Sequence, residues 1–193
     1  ETNFNYEKIE NEIVEKFPKL NRSHSLDRKI KNFYQKHLHK KMLLTTDKGM
    51  KSLKEIFEKS DYKVTIFREN YSADISEMVD SFLDFALKMK KKRKEVFLLS
   101  GEGNLSINQK NIGKGGRNSH ALLLMLKKFI EQKIENITFF AYASDGDDGN
   151  SGFGGGFISS ENKKFNIDEI DKAIADFDSA SFLEKHNLAF PIK

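Results

Sequence analysis

The sequence predicts an α/β fold, a mostly parallel sheet with helices on both faces preceded by an N-terminal helical segment. Three observations point to it. Short β-branched and aromatic runs, Val64-Thr65-Ile66-Phe67 and Val96-Phe97-Leu98-Leu99, alternate with stretches of helical periodicity. The run Ala121-Leu122-Leu123-Leu124-Met125-Leu126 is apolar nearly all round, as a helix buried in a core must be. Strands separated by helices need crossover connections, which favour parallel pairing and a sheet covered on both faces.

Tyr6, Ile9, Ile13 and Phe17 hold a 3.6-residue stripe, Pro18 interrupts it, and Leu26, Ile30, Phe33 and Leu38 resume it. This predicts a helical extension over residues 1–40. His24, His37 and His39 lie in or beside the stripe with no carboxylate cluster, and zinc needs several convergent donors, so they read as surface or partly buried histidines. Residues 41–193 read as the α/β domain, with 96–193 as its motif-bearing core. Met42-Leu43-Leu44-Thr45-Thr46 reads as a short strand, and Asp47 as the N-cap of a helix carrying Met50, Leu53, Ile56 and Phe57. After the strand at 64–67, Ser72 is expected to cap a helix with Ile75, Val79, Phe82, Ala86 and Met89 on one face. That helix runs into the basic stretch 88–94, where cations suit a helix C-terminus. Residues 104–108 read as a hairpin strand leading into a glycine loop. Residues 118–133 read as the buried helix, 137–143 as a strand and 145–156 as a glycine-rich turn.

Composition narrows the function. The 193 residues suit one ordinary domain or a domain with a helical extension. The 33 Lys and Arg against 29 Asp and Glu leave a formal charge of only +4, compatible with an anionic ligand but no signature of nucleic-acid binding. The basic stretch 88–94 has no aromatic stacking platform beside it. No cysteine is present, which excludes disulfides, thiolate metal sites and a cysteine nucleophile and fits a reducing, cytoplasmic setting. No apolar stretch approaches the roughly 18 residues of a membrane span. A first residue of Glu1 suggests a chain processed or cut from something longer.

Two loops carry the chemistry. Gly113-Lys114-Gly115-Gly116-Arg117-Asn118 opens the buried helix, and Ser144-Asp145-Gly146-Asp147-Asp148-Gly149 follows the strand at 137–143. Glycines let the main chain approach an anion, a helix N-terminus turns free N–H groups outward, and Arg117 adds a forked donor, so the first loop reads as a phosphate cradle. The carboxylates of the second would hold a metal ion or orient a hydroxyl. Ser100-Gly101-Glu102-Gly103 and the Asp145 loop would lie beyond the carboxyl ends of strands on one edge of the sheet, where ligands of such sheets gather. A tight turn starting a helix and a flexible glycine-rich turn explain the same residues without a ligand. The first loop is not a Walker loop, since Gly115-Gly116 follows Lys114, and the second is not an EF-hand, since its sixth and twelfth positions are Asn150 and Gly156. His120 adjoins the glycine loop and reads as a packed residue more readily than as a general base.

The order Leu98-Leu99-Ser100-Gly101-Glu102, then Gly113 to Asn118 with its leucine-rich helix, then Ser144 to Gly149 and the small residues 152–156, resembles the C-terminal MOFRL domain of glycerate 2-kinases. The resemblance covers roughly residues 41–190. It implies a two-domain enzyme that moves the γ-phosphate of ATP, with Mg2+, onto the 2-hydroxyl of glycerate in an interdomain cleft. Carried over by position, Arg117 would contact the small anionic substrate or the transferring phosphoryl group. Asp145 would orient the hydroxyl or hold the metal, with Asp148 in support. Gly115, Gly116 and Asn118 would shape the anion pocket, and Ser100 and Glu102 would line its wall.

The chain departs from that pattern. Ser-Gly-Gly-Glu-Thr is replaced by Ser100-Gly101-Glu102-Gly103-Asn104, Gln-Glu after Gly-Gly-Arg-Asn by Ser119-His120, and a proline after the aspartates by Asn150. The family's N-terminal nucleotide-binding domain has no counterpart in residues 1–40. The expectation is therefore the C-terminal portion of a longer kinase, inactive without its nucleotide-binding partner. Alternatives are a non-catalytic anion-binding or interaction domain and, more weakly, a nucleic-acid surface at 88–94. No Gly-x-Gly-x-x-Gly fingerprint supports a redox role.

Overall fold

The computed structural model describes residues 45–89, 94–107, 112–161 and 164–191. The expected helical extension, its three histidines, residues 42–44 of the first expected strand and most of the basic stretch lie outside the described residues. Thr45 and Thr46 do not continue a strand. Thr45 is the extended N-cap of helix α1 (Thr46–Lys59), and Asp47 sits inside its first turn, where a carboxylate favours the helix dipole without being the cap.

Strand β1 (Lys63–Asp74) is far longer than its β-branched run implies. It pairs in parallel with β2 (Glu95–Asn104), from Lys63 opposite Glu95 to Asp74 opposite Asn104. Twelve residues meet ten, and register shifts on either side of Arg68 absorb the difference. The connecting helix α2 (Ile75–Met89) buries Ile75, Met78, Val79, Leu83 and Ala86, the face its period predicts. Its first turn is tied by Asp74, whose Oδ1 accepts from the Ser76 amide at 2.8 Å. Ser72, the expected cap, is still in the strand.

Helix α3 (Arg117–Glu131) is the axis of the core. Leu122, Leu123, Leu126 and Phe129 are wholly buried, each contributing about 1.5–3 kcal/mol on transfer from water. Helix α2 packs on it, as do the shorter α4 (Ile167–Ala175) and α5 (Ser179–Lys185) and the strands β3 (Thr138–Tyr142) and β4 (Phe153–Ser159). With β5 (Ala189–Pro191) these strands form an antiparallel sheet in the order β3-β4-β5. The α/β class thus holds, with the parallel pair and its helices joined by this second sheet. Phe82 of α2 meets Phe139 of β3 at 6.2 Å, and Phe67, Phe85 and Phe97 continue the aromatic layer beneath β1 and β2.

Two glycine-bearing stretches differ from expectation. Asn104 ends β2 and residues 105–107 run on without regular structure, so the described part of the expected hairpin strand does not form one. Gly154, Gly155 and Gly156 belong to β4, not to a turn, because side chains there would collide with Tyr142, Ala141 and Leu188. Among the described residues no helix is long and apolar enough to cross a membrane.

Candidate functional site

The glycine loop and the aspartate loop meet over the N-terminus of α3. Gly116 is the N-cap and has no side chain to satisfy the first amides of the helix. Asp148 supplies the missing acceptor from the β3–β4 connection. Its Oδ1 accepts from the Asn118 amide at 2.8 Å and from Asn118 Nδ2 at 3.2 Å, and its Oδ2 accepts from the Ser119 amide at 2.8 Å. The residue is 3% exposed. A carboxylate donated by a distant loop thus occupies the place where a bound anion would sit, with the same charge–dipole logic.

The loop's own amides are also in use. Lys114 donates its N–H to Asp178 Oδ1 at 2.8 Å, Gly115 to Asn150 Oδ1 at 2.6 Å and Gly116 to Ser119 Oγ at 2.8 Å. The amides of Lys114, Gly115 and Gly116 thus find acceptors inside the protein, as those of Asn118 and Ser119 do in Asp148. The glycines serve close packing. A Cβ on Gly116 would overlap the backbone of Asp148, and Gly149, at φ +64°, would press a side chain into the Gly115 carbonyl. Asn150 laces the loops further, its amide donating to Gly115 O at 3.1 Å. Beneath them, Ser179 Oγ donates to Ser119 Oγ at 3.0 Å, which donates in turn to Gly116 O at 3.0 Å, so the buried serine pair is satisfied.

Beside this knot opens a cleft of about 590 Å³. Arg117 and Asp145 both line it, together with Asp147, His120, Phe177 and Ser179, and the end of β2 with the segment after it, Gly103 to Ile107, closes one side. The two side chains that the sequence set far apart in the chain therefore share one cavity. Gly115, Gly116, Asn118 and Asp148 belong to the same lining, but the amides of all four and both carboxylate oxygens of Asp148 are engaged internally. Ser100 and Glu102 are not on the lining. Ser100 Oγ accepts from the Asn70 amide at 3.4 Å on the β1 side, and Glu102 Oε1 pairs with Arg117 Nη1 across the mouth. Both partners of that pair are half-exposed or more, so it is worth at most about 1 kcal/mol and yields readily to a competing anion.

Asp145 is exposed, and its Oδ1 accepts from the Asp147 amide at 3.3 Å. Asp147 is exposed as well. Mg2+ commonly takes one or two carboxylates and fills its octahedron with phosphate oxygens and water. Asp145 with Asp147 fits that demand better than Asp145 with Asp148, whose oxygens are committed to α3. Among the described residues no cluster of three or more His, Asp or Glu forms a closed metal cage.

His120, Phe177, Ser179 and Asn150 complete the site without having been assigned a place in it by sequence. The ring of His120 stacks on Phe177, with centroids 5.5 Å apart at 17°. Burial holds its pKa below the ordinary 6.5, with Asp74 pulling the other way. A depressed histidine stabilises the fold above pH 6.5, and that contribution is lost as pH falls through its folded value, because the unfolded chain takes up the proton first. Urea midpoints measured from pH 7 to pH 5 should accordingly fall more in the wild type than in His120→Gln. Equal slopes would place the ring in contact with water.

Residues 95–191 match the sequence profile of the MOFRL family. No curated protein matches the chain. Two crystal structures share the fold at 17% identity. The glycerate kinase of Thermotoga maritima superposes with a TM-score of 0.64 over 94% of this chain and 45% of its own. A protein of Pyrococcus horikoshii OT3 superposes with a TM-score of 0.62 over 79% of this chain and 36% of its own. The chain thus spans less than half the length of either.

Proposed function

Because the chain belongs to the MOFRL family, we propose that it forms the acceptor-binding half of a glycerate kinase-like site, which transfers phosphate from ATP to a small hydroxy acid such as glycerate. The observation that carries this reading is the shared cleft of Arg117 and Asp145, a cation and an exposed carboxylate lining one cavity from different loops. Arg117 takes the anionic group, either the acid's carboxylate or the equatorial oxygens where charge builds during transfer, and Glu102 holds the guanidinium in place until that anion arrives. Asp145 accepts a hydrogen bond from the acceptor hydroxyl and so aligns its oxygen for in-line attack. Asp148 acts one step removed, by fixing the first turn of α3 from which Arg117 projects. Mg2+, held by Asp145 and Asp147, would neutralise phosphate oxygens when the nucleotide is bound.

The nucleotide itself belongs to a second, N-terminal domain in this proposal, consistent with the 45% of the Thermotoga kinase that the chain covers. The chain alone then binds the acceptor without turning it over, in the cytoplasm where ATP and hydroxy acids meet. In a polypeptide that carries the nucleotide-binding domain, Arg117→Ala should reduce kcat/KM for phosphoryl transfer about 100-fold and leave the unfolding temperature unchanged. Undiminished transfer would remove the basis of the assignment. A second reading, anion binding without catalysis, draws support from the α3 amides already filled by Asp148. It expects glycerate to bind with no turnover even beside a competent nucleotide domain.

A further inference from the structure

We propose that His120 determines specificity in the cleft, its imidazole hydrogen-bonding a hydroxyl group of the small anion whose charge Arg117 takes. This deepens the acceptor-binding reading and rests on it. His120 follows Arg117 by three residues on α3, so both side chains fall on one face of the helix, and both line the cleft. Their settings differ sharply. The Arg117 side chain is 51% exposed at the mouth, whereas His120 is 5% exposed on the floor. A ligand spanning mouth to floor meets a full positive charge at one end and a dehydrated ring at the other.

The ring has no internal task that accounts for its chemistry. Nδ1 is buried and has no hydrogen-bond partner. A histidine that merely filled space against Phe177 would be replaced by an apolar ring at a gain, since an unpaired buried nitrogen costs the fold. No internal bond fixes the tautomer or prevents a half turn about χ2, and stacking on Phe177 survives that turn. Burial keeps the ring neutral against the pull of Asp74. A neutral imidazole both donates and accepts, as a hydroxyl does, and it matches an alcohol better than a second carboxylate. The ligand class that suits the pair is a short carboxylate bearing a hydroxyl, with the analogue lacking the hydroxyl rejected because it leaves the ring unpaired.

The test uses the 193-residue chain with its imidazole and guanidinium nitrogens followed by NMR, titrated separately with D-glycerate and with propionate. D-Glycerate should shift the signals of both Arg117 and His120, and propionate those of Arg117 alone. The dissociation constant for D-glycerate should rise about tenfold in His120→Phe, which keeps the stack, and recover to within about threefold of wild type in His120→Gln. If D-glycerate moves Arg117 but not His120, or binds His120→Phe as tightly as wild type, the specificity role is overturned and the acceptor-binding reading stands. If D-glycerate moves neither residue, the acceptor-binding reading fails and takes this inference with it. The wild-type spectra decide even where a variant folds poorly.

Discussion

Asp148→Ala should lower the unfolding free energy by about 4 kcal/mol and the unfolding temperature by roughly 10 °C. An aspartate in a glycine-rich loop is ordinarily solvated, yet this one is buried and holds three N–H groups of α3. Truncation leaves the Asn118 and Ser119 amides without acceptors in a place water reaches poorly, at about 1–3 kcal/mol each, and removes a charge that complements the helix dipole, worth up to about 1 kcal/mol more. Asn118 Nδ2 can turn towards the cleft and softens the loss slightly. Asp148→Asn should recover about half, since the amide keeps one accepting oxygen and turns a donor against donors. Urea unfolding followed by circular dichroism measures both. A midpoint unchanged by Asp148→Ala would mean that water replaces the carboxylate, and that the α3 N-terminus is after all open to an outside anion.

Gly116→Ala should cost about 3 kcal/mol. The added methyl would overlap main-chain atoms of Asp148, and these cannot retreat cheaply. The Asp148 amide donates to Phe153 O at 3.0 Å, and the Asn150 amide donates to Gly115 O at 3.1 Å, so the loop is stitched on both sides of the clash. Gly116→Ala and Asp148→Ala act on the same joint, so the double variant should lose distinctly less than the sum of the two. Strict additivity in a double-mutant cycle would show that the glycine is required for some reason other than the approach of Asp148.

These two residues also mark the limit of what the sequence discloses. Helix α3 is legible because its apolar run satisfies every face at once, and β2 because Val96 to Leu99 is a short, continuous apolar run opened by a β-branched residue. Arg117 and Asp145 line one cleft as their loop positions suggested, although β2 and β3, which lead to them, belong to two separate sheets. The trans cap is not legible, since nothing local connects Asp148 to an N-terminus 30 residues earlier, and a glycine loop advertises a phosphate as readily as it does tight packing. The β4 glycines mislead for a related reason. Three glycines in a row signal a turn by propensity, whereas here the backbone of Leu188 and the ring of Tyr142 forbid side chains in a strand. The role of Asn150 was hidden because only the assembled loops show its side chain bridging to Gly115 N and Gly113 O. Ser72 lost its capping role to Asp74 because β1 runs on through two bulges that no periodicity announces.

The borrowed cap imposes an order on self-assembly. A helix whose leading amides are quieted by its own neighbours can nucleate early and wait. The leading turn of α3 gains the Asp148 carboxylate only once the β3–β4 ribbon has folded back and delivered it, so that turn is expected to settle after the rest of the helix. Synthesis from the N-terminus sets the same sequence, since the donor loop leaves the ribosome after the helix that needs it.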